Sequence, residues 1–436
     1  MDPIYSGLIG IVALLVLLAL RVPIGFSLIF ISFCGIWFLR NFDVAWNQLG
    51  TVPHEFSASW TLSAIPMFIL MGALAHHSGI TGRLYHAARL WLVRLPGGLA
   101  VATAAACAGF AAASGSSLAM AAAMSKISVP EMLKAKYQPA LASATVACAG
   151  TIGSMIPPSI LFILYGWYTE TPIGKLFIAG ILPGVLTAVG YIGMIVVRCW
   201  LNPELAPRLT ERPPMREKMK ALAEVWPLPV LIFIVIAGLY TGMTSATEAG
   251  AFGAFGALVI AVAMKKLTLR QFWESQVETV KSLAAILFIV IGAVLLTRFM
   301  TMSGLPNLAA GFVESGDTNV WHVILFMAVV YIILGMFLDP LGIILITLPI
   351  MMPMFQAANM DMVWVGVLVV KLIEIGLVTP PVGLNCYIVK ASLGDKVDIG
   401  DIFRGTTWFI VIDLAMFVLI AMFPQIALWL PSLMVE

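Results

Sequence analysis

The stretch GTIGSMIPPSI (150–160) returns in the second half of the chain as EIGLVTPPVGL (374–384). Superposing Gly153 on Gly376 also superposes Pro157-Pro158 on Pro380-Pro381, and the same register puts Pro130 on Pro353. Further upstream, FILMGAL (68–74) matches FIVIGAV (288–294), and Ser78-Gly79-Ile80 matches Ser303-Gly304-Leu305 after a small insertion. Matches that keep their order along a chain mark an internal duplication. Each Pro-Pro pair falls inside a long apolar segment. Proline brings no N–H and a fixed φ, so each pair predicts a helix broken part-way.

The solvent for these segments follows from composition. The 436 residues are 61% hydrophobic and only 11% charged, against about a quarter charged in ordinary soluble domains. One helix needs roughly 20 apolar residues to cross the hydrocarbon, so there is material for about a dozen spans. The runs are long and unbroken rather than short and alternating, which selects helices over a barrel and predicts an all-α membrane protein. The five cysteines have no metal or redox spacing and read as small core residues. The opening MDPIYSGLIGIVALLVLLAL has no basic n-region and reads as a first membrane helix, not a cleaved signal.

Basic residues set the topology. Arg83, Arg89 and Arg94 precede the segment 97–124, and Lys126, Lys134 and Lys136 follow it. Both its flanks are therefore expected in the cytoplasm, which makes 97–124 a re-entrant hairpin with its tip at SGSS (114–117). The corresponding segment 320–356 has no Lys or Arg in its flanks 302–319 and 357–361, so it is expected to enter from outside. The two repeats are then inverted: 1–197 and 226–436, joined by the polar cytoplasmic linker 198–225. Both termini come out periplasmic. Amphipathic helices are expected on the cytoplasmic surface at 81–93 and 267–282.

Hairpin tips and broken helices leave backbone groups unpaired at membrane depth, which is tolerated only where they are buried in protein or line a polar cavity. Half-helix ends offer carbonyls to cations and N–H groups to anions. Two such places are expected, one pairing SGSS with 150–160 and the other pairing LDPLG (338–342) with 374–384. Ser114, Ser116 and Ser117 supply oxygens suited to Na+. Gly153 and Gly376 allow close backbone approach. Asp339 is an acid inside an apolar hairpin and calls for a cation partner. Two readings of Arg298 stand, as a bidentate partner for a substrate carboxylate or as a side chain snorkelling to the outer headgroups. Lys371 and Glu374, one turn apart, read as a buried pair. Glu248 reads as a helix cap or an exposed loop acid.

The motifs GFAAASGSSLAMAAAM, GTIGSMIPPSI, TSATEAGA, LGMFLDPLGIILITLPIMMP and IEIGLVTPPVGLN resemble those of the large membrane subunit (M) of tripartite ATP-independent periplasmic (TRAP) transporters, from the first helix to about residue 425. The resemblance implies an inverted-repeat elevator fold with two re-entrant hairpins. It implies Na+-coupled uptake of a carboxylate such as a C4-dicarboxylate or sialic acid across the bacterial inner membrane. It implies two partners, a small four-helix membrane subunit (Q) and a periplasmic substrate-binding protein (P). The family's first Na+ site falls on Ser114, Ser116, Gly153, Ile156 and Pro158. The second falls on Asp339, Gly376, Thr379 and Pro381. Its basic residue near substrate falls on Arg298, with Ser117 as a further substrate contact.

Two other classes fit less well. A stand-alone Na+- or H+-coupled carrier would need no binding protein. An intramembrane enzyme would need a base beside Ser116, yet no His lies within an apolar span and no HExxH motif occurs. Nucleic-acid binding finds no support, because the basic residues track one membrane face.

Overall fold

The computed structural model describes residues 3–57, 59–209, 212–314 and 319–434, all helix, turn or loop. Among the described residues, six helices are long and apolar enough to cross a membrane, or up to eight if each of two bent pairs is one span. Their outward surfaces are apolar: Phe30, Phe233, Phe255, Leu325 and Trp408 are all exposed. In water such a surface would drive aggregation; in lipid it is ordinary.

Helices Pro3–Ala19 and Ile24–Leu39 lead into Phe42–Ser57, which sequence reading leaves out of the apolar segments. It folds as an amphipathic helix because Phe42 and Trp46, one turn apart, stack on each other. The helices Ala64–His77 and Ile80–Leu92 follow, then the first hairpin, Gly98–Ser114 and Ser117–Ile127. Its partner is the first broken helix, Pro139–Ala149 with the short turn Ile152–Met155, resuming as Ile160–Thr169 at an angle of 40°. Helix Ile173–Leu201 closes the half.

The second half repeats the series. Pro227–Tyr240 and Ala246–Ala263 precede Leu269–Ser303 and Leu305–Glu314. The second hairpin is Val320–Gly335 with Pro340–Ala357. The second broken helix is Met362–Val378 with Leu384–Leu393, and Ile399–Met422 closes this half. The halves interlock. Ile24–Leu39 packs on Leu269–Ser303, Ala246–Ala263 on Ala64–His77, and Ile399–Met422 on Pro139–Ala149. Buried polar bonds cross between the halves as well, with Tyr165 donating to the Met362 carbonyl at 2.8 Å and Asn385 to that of Ala147 at 3.1 Å.

Three expectations change. The segment 267–282 is not a separate surface helix: it runs unbroken into the next span as the 35-residue helix Leu269–Ser303. A capping box of Thr268 and Gln271 starts it, and no Pro or Gly interrupts the junction. Lys371 does not pair with Glu374 but with Asp413, 2.5 Å away on Ile399–Met422. The cap of Ala246–Ala263 is Ser245, with Glu248 completing the box by accepting from the Ser245 N–H at 2.7 Å.

Candidate functional site

Each hairpin turns at a residue whose side chain caps its second arm. Ser116 accepts from Ala119 N at 3.4 Å. Asp339 accepts from Leu341 N and Gly342 N, both at 3.0 Å and both through Oδ1, with Pro340 at the first helical position. Ser/Asp caps followed by such starts are favoured because they satisfy orphan N–H groups. The register that superposes Gly153 on Gly376 also superposes Ser116 on Asp339. The two caps are therefore equivalent positions, one neutral and one acidic.

Each hairpin accepts a backbone bond from the equivalent position of its broken helix, through acceptors two positions apart in register. The Gly115 carbonyl accepts from Ile160 N at 3.4 Å, and the Met336 carbonyl accepts from Gly383 N at 3.2 Å. Ile160 and Gly383 are again equivalent. So are Ile156 and Thr379, which both leave the helix with extended backbone (φ −83°, ψ 126° and φ −89°, ψ 133°). Pro157 and Pro158 bring no N–H, so the carbonyls of Gly153 and Ser154 lose their helical donors. The Thr379 hydroxyl donates to Ile375 O at 2.6 Å, and its N–H goes to Gly376 O at 3.0 Å.

Glycine is needed where the backbones touch. A Cβ on Gly376 would fall 2.5 Å from Gly335 Cα, and one on Gly115, at φ +64°, would fall 2.6 Å from the Pro158 carbonyl. Gly153 is less crowded: its Cβ would meet Ser116 O at 3.3 Å.

The structure sets Gly153 and the Pro158 carbonyl against the first tip, where Ser114 and Ser116 lie, and packs Gly376 on Gly335 of the second hairpin. The donors these residues offer are oxygens, neutral at the first tip and singly acidic at the second, a chemistry that suits a hard monovalent cation. At the second tip, Asp339 Oδ2 takes neither of the cap bonds. The surroundings differ: Pro157 and Pro158 are buried, whereas Pro380 and Pro381 are exposed.

A cavity of about 560 Å³ opens beside the first tip. Ser114, Ser116 and Ile160 line it, joined by Leu341 from the second hairpin. Lys126, His76 and Glu278 line it as well, and Glu278 also lies 3.5 Å from His77.

Two expected substrate contacts lie elsewhere. Ser117 is buried and turned away from the cavity, with its N–H donating to Ser154 Oγ at 3.3 Å. It directly follows the N-cap, so the helix carries it to the opposite side from Ser116. Arg298 sits twelve residues beyond Ile286, roughly 18 Å along the same helix. There Nη2 meets Glu55 Oε2 at 2.5 Å and Nη1 donates to Gln48 Oε1, both on Phe42–Ser57.

One buried cluster is new. Lys371 Nζ donates to Asp413 Oδ1 at 2.5 Å and Thr187 Oγ1 at 3.1 Å, and Tyr191 donates to Asp413 Oδ2 at 2.6 Å. Asp413 is a single acid in the apolar run TTWFIVIDLAMFVLI, and an acid at membrane depth calls for a partner.

Paired hairpin tips facing paired broken helices, within a lipid-facing helical bundle, define a membrane transporter of the duplicated class. Two solved structures share the fold at 14% identity. They are the Alcanivorax borkumensis YdaH transporter (TM-score 0.63, covering 90% of each chain) and Neisseria gonorrhoeae MtrF (TM-score 0.56, covering 83% of this chain and 81% of that one). A family model for the tripartite ATP-independent periplasmic transporter, DctM component, matches residues 11–426. The C4-dicarboxylate TRAP transporter large permease protein DctM of Pseudomonas aeruginosa is 35% identical over 87% of this chain and 88% of its own. The ectoine/5-hydroxyectoine large permease UehC of Ruegeria pomeroyi is 33% identical (96% and 97%), and the sialic acid large permease SiaM of Vibrio cholerae 30% (96% of each). The chain belongs to the TRAP transporter family as its large permease, the DctM component.

Proposed function

We propose that the chain carries a small organic anion inward, coupled to Na+, after delivery by a periplasmic binding protein. The observation that carries this reading is that equivalent positions of the two broken helices, Ile160 and Gly383, each donate a backbone bond to the facing hairpin, at Gly115 and Met336. Ser114, Ser116, Gly153, Ile156 and Pro158 would hold one cation, and Asp339, Gly376, Thr379 and Pro381 a second. Na+ entering down its gradient supplies the driving force. The substrate, a carboxylate as in the relatives' C4-dicarboxylates and sialic acid, would lie in the cavity beside Ser114 and Ser116.

The halves 1–197 and 226–436 are read as inverted repeats around the linker 198–225, with both termini periplasmic and the protein in the bacterial inner membrane. On that reading Lys126 marks the cytoplasmic end, so the cavity is inward-facing. Transport by an elevator would move hairpins and broken helices together past the remaining helices. The tip-to-break bonds favour this, because each hairpin is tied to its broken helix. Arg298 would engage a carboxylate only after its pair with Glu55 opens. The partners are a small four-helix membrane subunit and the binding protein.

The test is uptake of candidate carboxylates into proteoliposomes holding the chain and its membrane subunit. Na+ gradient and binding protein are each supplied or withheld. Uptake that needs both is expected. Uptake without the binding protein would favour a stand-alone carrier, and uptake driven by protons alone would remove the Na+ sites.

A further inference from the structure

Glu374 is 2% exposed, and its carboxylate has hydroxyl neighbours but no ion-pair partner among the described residues. Its neighbour Lys371 makes its ion pair with Asp413 on the other side and reaches Glu374 only through space. The Lys371–Asp413 pair is neutral in sum and further satisfied by Thr187 and Tyr191. An isolated buried carboxylate costs several kcal/mol unless a counter-charge joins it. Its polar neighbours are the hydroxyls of Ser154 and Ser117, which face it from two other elements. These are the short turn Ile152–Met155 and the start of Ser117–Ile127. The two are already fixed to each other by the Ser117 N–H bond to Ser154 Oγ.

We propose that Glu374, Ser154 and Ser117 form a third cation site, behind the two tips, for a monovalent ion. The charge count selects monovalent: one carboxylate and two hydroxyls neutralise one positive charge and leave a divalent ion in excess. Hard oxygen donors suit an alkali cation. The placement gives the site a role. Glu374 belongs to the second broken helix, whereas Ser117 and Ser154 belong to the first hairpin and the first broken helix. An ion there fastens one half's machinery to the other's. The site stands independently of the tip sites and rests on the proposed function only for the identity of the ion as Na+.

The experiment is equilibrium binding of radioactive Na+ to the full chain purified in detergent, with infrared difference spectra taken on adding Na+. Relative to wild type, Glu374→Gln is expected to lose one bound Na+ per chain and the Na+-induced shift of a carboxylate band. Asp339→Asn and Ser116→Ala should keep that Glu374-dependent shift. Ser154→Ala covers the case in which Glu374→Gln does not fold, and should weaken this site about tenfold. Equal Na+ stoichiometry in wild type and Glu374→Gln overturns the site. So does a protonated-acid band assigned to Glu374 and insensitive to Na+, which would mean the residue holds a proton. Wild type that binds no Na+ at all would instead fell the Na+-coupled function.

Discussion

Asp339 stands in the second hairpin where Ser116 stands in the first: each is the side chain that caps the second arm at the tip. Duplication has kept the geometry and changed the charge. If both tips hold Na+, the acidic one contributes more per side chain. Asp339→Asn is expected to weaken Na+ activation of uptake on the order of 10- to 100-fold, and Ser116→Ala on the order of 3- to 10-fold. Na+ dose–response curves of uptake check the ranking. Equal effects would separate the two tips from cation binding.

Gly376 and Gly335 lie too close for any side chain, whereas Gly153 has more room. Gly376→Ala should therefore push the second hairpin off its broken helix, at about 1–3 kcal/mol, and stop uptake. Gly153→Ala should be milder. Thermal unfolding and uptake of both variants decide this, and wild-type uptake by Gly376→Ala would show the contact to be dispensable.

The Lys371–Asp413 pair is 1% exposed on both sides. Removing one partner strands a buried charge and is expected to destabilise by roughly 3–5 kcal/mol. Lys371→Met combined with Asp413→Leu should recover much of that loss. Melting of the single and double variants in detergent reads it out; additive losses would mean that the pair is not what the charges sense.

The Arg298–Glu55 contact is different, since the two side chains are 30% and 60% exposed. Exposed pairs contribute about 0–1 kcal/mol, so Glu55→Gln should leave stability unchanged. If Arg298 takes up the substrate carboxylate, Glu55→Gln should lower KM for uptake and Arg298→Gln should raise it. KM unmoved by either would leave Arg298 as an anchor for helix Phe42–Ser57.

Topology has a direct test. A cysteine at Asn319 should react with an impermeant thiol reagent added outside, and one at Glu217 should not. The reverse pattern would turn the whole charge map over.

The duplication was legible because Pro-Pro, Gly and the hairpin tips are short-range signals with a backbone cause. Ser116, Gly153 and Asp339 could be picked out for that reason. The side-chain partnerships could not. Lys371 chose Asp413 over Glu374 because a helix only 42 positions later packs against it, and one-turn spacing within a helix says nothing of that. Helix Phe42–Ser57 escaped because its polar residues hide a single aromatic stripe. Where Ser117 and Arg298 lie relative to the cavity depends on side-chain direction and distance along a helix, which a linear pattern does not contain.

The helix Leu269–Ser303 is about 50 Å long at 1.5 Å per residue, well beyond a hydrocarbon core of about 30 Å. Its face toward the cavity reads Glu278, Ser282, Ala285 and Ile286 in order along the helix. That order is a gradient of wettability on a rigid post. A solute moving with the first tip along this post would shed or regain its water by degrees rather than at one barrier.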